Sequence, residues 1–169
     1  MSPEVTSELG KTYSVTGVYD GNNLSIYIDG VLQGTTPTTG NIRSIVEPVQ
    51  IGLNDQSYFN GVVDHLKIWE KSLSAENINL LYNNPDTDLY DGLVTDYKFN
   101  QGPDGLYPEK LIDYSGNQNH GDINGAAWIL GGCTNEYACN YDSDADFDNG
   151  SCAYPDCTGG CDNQNIELW

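Results

Sequence analysis

The chain has 169 residues, with 6 Lys and Arg against 25 Asp and Glu and a formal net charge of −19. Such a charge repels phosphate backbones and anionic lipid surfaces, so nucleic-acid partners and membrane-surface binding are disfavoured. No apolar run reaches the roughly eighteen residues that a membrane-spanning helix needs, and Met1-Ser-Pro-Glu4 lacks the basic start and apolar core of a signal peptide, which puts any such leader upstream. The acidic excess fits either a solvated, salt-adapted surface or divalent-cation sites, and composition does not separate the two.

In chain order, the first legible element is Gly17-Val-Tyr-Asp-Gly-Asn-Asn-Leu-Ser-Ile-Tyr-Ile-Asp-Gly-Val-Leu-Gln-Gly34. Leu24, Ile26 and Ile28 alternate with Ser25, Tyr27 and Asp29, the period-2 pattern of a half-buried strand. Asp29-Gly30 is a two-residue hairpin signal, because both residues tolerate positive φ. The stretch predicts a β-meander.

Val62–Trp69 reads as a later strand in which Asp64 shares the parity of Val62, Leu66 and Ile68. A carboxylate on an apolar face needs compensation. Two readings stay open: hydrogen bonding at the strand's end, or service as a calcium ligand. Ser74 is placed to N-cap a helix, with Leu73 and Ile78 at the two staple positions and Leu81 and Tyr82 continuing the apolar stripe. Asn83-Asn84-Pro85-Asp86 stops that helix, and residues 83–91 read as a linker. After it come a strand at Leu93–Phe99 and the turn-rich loop Asp113-Tyr-Ser-Gly-Asn-Gln-Asn-His-Gly121, whose side-chain oxygens and exposed carbonyls are the hard donors that calcium takes.

All five cysteines, Cys133, Cys139, Cys152, Cys157 and Cys161, fall in the tail beyond Gly131. The tail has no Cys-x-x-Cys pair and no His, so a zinc ribbon is disfavoured. A short segment without apolar periodicity depends on disulfides, which places the chain in an oxidising compartment. The odd count leaves one cysteine over and suggests a partner beyond Trp169. Asp142, Asp144, Asp146 and Asp148 occupy every second position, open between calcium binding and a solvated acidic loop; the spacing is not that of an EF-hand.

Two stretches carry a family resemblance. "GVYDG…L.IYIDG" followed by "FNG.VD.L.IW…LSAE.I", over roughly residues 9–82, resembles the end of a laminin-G-like, concanavalin A-like jelly-roll module. Asp91–Phe99, Leu111–Gly121 and Asn124–Trp128 resemble the beginning of the same module. The resemblance implies an all-β, concanavalin A-like sandwich, incomplete or permuted, with one short helix and an irregular disulfide-rich tail. The expected boundaries are 1–82 for a module's end, 83–91 for a linker, 92–130 for a module's start and 131–169 for the tail. The central strands of the family are missing, and the two pieces are expected to pair through Val62–Trp69 and Leu93–Phe99, leaving exposed edges. Carried over residue by residue, the family's structural ion falls to Asp64, Asp113 and Asn117, with Asn119 a weaker ligand. The tail resembles a Cys-rich calcium-loop repeat of secreted Bacteroidetes-type proteins.

These readings converge on a non-catalytic carbohydrate-binding or adhesion module of a secreted or cell-surface protein, with structural calcium. Its partners would be glycans, extracellular proteins and neighbouring modules of a longer chain. Tyr19, Tyr27, Tyr58 and Trp69 are available aromatics. The competing class is a glycoside hydrolase, which needs two carboxylates flanking the scissile bond; no strand carries a close pair, and Glu47, Glu70 and Glu76 lie in separate elements. A purely structural spacer is the third reading. His65 and His120 receive no catalytic role. The glycosylation matches Asn23-Leu-Ser25 and Asn149-Gly-Ser151 are too short to be informative.

Overall fold

The structure is a computed structural model and describes residues 8, 10–42, 48–54, 57–102, 109–148 and 150–155. Glu47, Asn149, Cys157 and Cys161 lie outside the described residues. The chain forms two compact units, Met1–Phe99 with Ile112–Gly121, and Asn100–Leu111 with Asp122–Trp169.

The first unit opens with the expected meander, β1 (Val15–Tyr19), β2 (Asn23–Ile28) and β3 (Val31–Pro37), in the order β1-β2-β3 and antiparallel throughout. The β2–β3 turn places Asp29 at φ 50 and Gly30 at φ 75, the signature of a type I′ turn, whose twist matches that of its strands. At the first turn, Asp20 Oδ1 accepts the N–H groups of Asn22 and Asn23 at 2.8 and 2.7 Å. These bonds hold its carboxyl below the usual range. The apolar face of the meander is not half-buried as its pattern predicts: Leu24 is 52% and Ile26 37% exposed.

A short ribbon of β4 (Leu53–Asn54) and β5 (Ser57–Tyr58) follows. The strand expected over Val62–Trp69 is only β6 (Leu66–Trp69), because His65 adopts φ 45 and ends the alternation. Asp64 is therefore outside the strand, and its parity with Leu66 and Ile68 has no consequence. Helix α1 (Ala75–Asn83) begins as predicted, with the Ser74 side chain accepting the Asn77 N–H at 3.2 Å. Its Ile78 is among the most buried side chains of the described residues, at 2% exposure.

Strand β7 (Leu93–Tyr97) pairs antiparallel with β6, with Leu66 opposite Tyr97 and Lys67 opposite Asp96. The pairing expected between the two pieces thus forms, and residues 83–91 fall inside one unit. The Trp69 indole N–H donates to the Leu89 carbonyl at 3.0 Å and fixes this crossover.

The second unit holds β8 (Lys110–Leu111), Asp122 of β9 (Gly121–Asp122), and the parallel pair β10 (Gly131–Gly132) and β11 (Phe147–Asp148). Lys110 Nζ pairs with Asp122. Cys133 and Cys152 form a disulfide across 19 residues, and Cys139 is also disulfide-bonded. Asn140 clamps the returning chain at two points, donating to Ser151 O and accepting from Ala153 N, both at 2.7 Å.

Candidate functional site

The loop after Ile112 folds back on the open edge of β7. Asp113 Oδ1 accepts the N–H groups of Asp96 and Ser115, both at 2.9 Å. Its Oδ2 accepts the Asn119 N–H at 2.9 Å and the Ser115 hydroxyl at 2.8 Å. The residue is 6% exposed. Desolvation raises its pKa, but the four donors together outweigh it and bring the value down to about 2. The side-chain amides of Asn117 and Asn119 donate to the Leu93 and Val94 carbonyls, covering the edge that a further strand would occupy. His120 Nδ1 accepts the Asp113 N–H at 3.0 Å, and the imidazole braces the loop.

The residues that the resemblance implies as ligands are engaged with protein partners. Asp64 is exposed and bonds to its neighbour, accepting the His65 N–H at 2.9 Å. Asp113 has both oxygens committed to protein donors, and the amides of Asn117 and Asn119 turn their NH2 groups to β7. A carboxylate bonded in this way does not fit a calcium ligand, whose oxygens point at the ion. Among the described residues, no three His, Cys, Asp or Glu side chains are grouped so as to hold a metal.

In the tail, three of the four alternating aspartates also turn to local backbone. Asp142 Oδ1 accepts the Asp144 N–H at 3.0 Å, Asp146 Oδ2 the Leu130 N–H at 2.8 Å, and Asp148 Oδ1 the Gly150 N–H at 2.9 Å. Asp144 itself is exposed. The Asp142 side chain lies so close over Gly132 that a Cβ there would meet Asp142 Oδ2 at 3.0 Å and Ala145 Cβ at 2.9 Å.

Two clefts are formed by described residues of the first unit. One, of about 460 Å³, is apolar and lined by Leu53, Tyr58, Phe59 and Val63 on the β4–β5 ribbon. The Phe59 ring rests on Gly61, where a Cβ would stand 2.7 Å from a ring carbon. The other, of about 350 Å³, lies where the start of α1 faces the 88–91 turn and is lined by Lys71, Ser72, Asn77, Asp88, Tyr90 and Asp91. Lys71 pairs with Asp91 at 2.5 Å, and the Tyr90 hydroxyl donates to Asp88 at 2.7 Å. That bond and the charge of Asp88 raise the Tyr90 pKa. The Lys71 stem crosses Gly92, where a Cβ would clash at 2.9 Å.

Of the four aromatics singled out from sequence, Trp69 braces the crossover and Tyr19 donates to the Gly40 carbonyl. Tyr27 is half-buried, and Tyr58 is 80% exposed at the apolar cleft. The polar cleft was not anticipated. Its residues come from the end of one motif and from the segment read as a linker, so no local pattern joins them.

Residues 2–79 match the model of the concanavalin A-like lectin/glucanases superfamily. Among solved structures, the chain is similar to an S-layer domain-containing protein (residues 221–444) from Clostridium thermocellum, with 23% identity and a TM-score of 0.43 over 47% of this chain and 42% of that one. No curated protein matches.

Proposed function

We propose, from the match of residues 2–79 to the concanavalin A-like superfamily model, that the chain is a non-catalytic binding module of an extracellular multidomain protein, with a glycan as its ligand. The observation that carries this reading is the polar cleft at the start of α1. It joins an aromatic side chain, Tyr90, 61% exposed, to amide, hydroxyl and carboxylate groups from Asn77, Ser72 and Asp88. An aromatic face beside fixed donors and acceptors suits a sugar, which offers C–H groups on one side and hydroxyls at its rim. The net charge of −19 favours neutral sugars over uronates or sulfated chains.

Asp91 is tied to Lys71 and Asp88 to Tyr90, which suits hydrogen-bond acceptors. A glycosidase needs one carboxyl in an environment that keeps it protonated as a general acid, and an exposed carboxylate paired with Lys71 is the reverse. The disulfide-bonded tail supports an extracellular location. The expected calcium is kept in this proposal only as an ion that would itself draw Asp142, Asp144, Asp146 and Asp148 together, since no three of them are grouped to hold a metal in the structure. A chelator-sensitive melt of the tail tests that expectation.

The main test is calorimetric titration of the oxidised chain with neutral oligosaccharides chosen from a glycan array. Tyr90→Ala is expected to weaken binding at least about tenfold, the loss of one stacking contact, while the far-UV spectrum stays unchanged. A folded chain that is silent on the array would sink the glycan reading and favour the structural spacer.

A further inference from the structure

Lys67 on β6 and Asp96 on β7 stand opposite each other in register. Asp96 turns both of its main-chain groups the other way, donating its N–H to Asp113 Oδ1 at 2.9 Å and accepting the Tyr114 N–H at 2.8 Å. The two residues therefore form a non-hydrogen-bonded pair, the kind whose side chains lie closer together. Lys67 Nζ is 3.4 Å from Asp96 Oδ2, and the two side chains are only 10% and 8% exposed. The pairs Lys71–Asp91, Lys98–Asp86 and Lys110–Asp122 are all more open to water.

As an ion pair this contact is poorly built. A charge-assisted bond is ordinarily about 2.7–2.9 Å long, and Asp96 Oδ1 is buried with no hydrogen-bond partner among the described residues. Removing two charges from water is offset only where close geometry and further hydrogen bonds satisfy them. An amide between the same two groups carries no charge and leaves a single carbonyl oxygen to accommodate. From this geometry we propose that the pair is a modification site, at which Lys67 Nζ and the Asp96 carboxyl condense to an isopeptide bond joining β6 to β7.

The step needs no co-reactant. The Lys67 ammonium gives one proton to the Asp96 carboxylate, and the neutral amine attacks the carboxyl carbon. A C–N bond forms, and a C–O bond breaks as the hydroxyl leaves with a second proton from nitrogen, giving one amide and one water. Asp86, which pairs with Lys98 at 2.8 Å and also feels the Lys67 charge, supplies an acid–base group for carrying that second proton. Because β6 holds one side of β7 and the Asp113 loop the other, amine and carboxyl meet as parts of one rigid frame, which removes the entropic cost of their encounter. The bond closes residues 67–96 into a covalent loop that contains α1 and the polar cleft, whatever that cleft binds.

Mass spectrometry of the folded full chain, denatured and reduced just before measurement, tests the proposal. The expected mass is that of the sequence less one water, and the expected tryptic map contains peptide 44–71, uncut after Lys67, joined to peptide 72–98. Lys67→Arg, which keeps the charge, and Asp96→Ala are each expected at the full mass of their own sequences. An aspartate before a glycine, as in Asp29-Gly30 or Asp91-Gly92, also loses water when it closes to a succinimide, so a water loss that persists in Lys67→Arg overturns the proposal. A wild-type chain at full mass overturns it too, because the pair is then an ordinary buried ion pair. Should either variant fail to fold by circular dichroism, the wild-type map decides alone: trypsin cleavage after Lys67 shows a free amine and overturns the bond, whereas the joined peptides establish it.

Discussion

The loop from Asp113 to Gly121 and the tail from Gly131 to Pro155 use the same residue types, and both aim carboxylates at backbone N–H groups. They are held in different ways. In the loop one nearly buried carboxylate gathers four donors and docks the segment on β7. In the tail each of three aspartates serves one donor at the surface, and the Cys133–Cys152 disulfide supplies the closure. Burial is the difference. A carboxylate shielded from water organises its surroundings, because each unmet donor would cost the full desolvation penalty. An exposed one competes with water and shapes only a local turn, so the chain there needs a covalent tie.

This contrast is broken most directly at Asp113. Asp113→Ala leaves four donors without their acceptor and is expected to cost about 3 to 4 kcal/mol, read as a lowered chemical-denaturation midpoint of the first unit. Asp142→Ala, in the tail, is expected to change stability by about 0.5 kcal/mol or less. If the two costs are equal, burial is not what separates the regions. Replacing Cys133 and Cys152 together by Ser reopens a loop spanning 19 residues, an expected loss of about 3 kcal/mol. Hydrogen exchange should report that loss across residues 131–155 and leave the amides of β7 protected.

Acid titration sharpens the same point. The Asp113 carboxyl lies at about 2 in the folded chain against an ordinary value of 3.8. A depressed folded pKa contributes stability that is fully present above the unfolded value and is lost as pH falls through the folded one. Asp113 thus supplies roughly 2 kcal/mol at neutral pH, which disappears between about pH 5 and pH 1. Asp113→Asn should flatten that part of the stability profile.

What was legible in the sequence divides along the same line between local and tertiary causes. The meander, its Asp29-Gly30 turn and the Ser74 cap are local devices, and each appears where its residues place it. The β6–β7 pairing followed from the family resemblance. Asp64 was misplaced because parity presumes an unbroken strand, and His65 at φ 45 breaks it. Asp113 was noticed for its oxygens, but oxygen donors look alike in sequence whether an ion or four N–H groups will face them. The polar cleft was invisible because Lys71 and Asp91 are twenty residues apart and meet only after β6 and β7 pair.

The local devices also yield the smaller effects, which set a floor under the comparison. Gly30→Ala puts a Cβ at φ 75, 3.2 Å from Asn79 Nδ2 and from Tyr82 Cβ on α1. Strain and crowding together are expected to cost about 1 to 2 kcal/mol, seen as a lower Tm.

Ser74→Ala is the milder of the two local changes. It removes the acceptor of the Asn77 N–H but leaves the Ser74 carbonyl bond from Ile78 N at 3.0 Å, so α1 keeps its first backbone bond and frays by only part of a turn. The expected cost is about 1 kcal/mol. Unlike the Asp113 network, the freed N–H lies at an exposed helix end where water replaces the lost partner, which is why one missing acceptor costs less here than at β7. Ser74→Asp should restore stability, because a carboxylate accepts the same bond and favours the helix N-terminus. If Ser74→Asp is no more stable than Ser74→Ala, the cap contributes through backbone conformation alone, and the hydrogen bond to Asn77 is incidental.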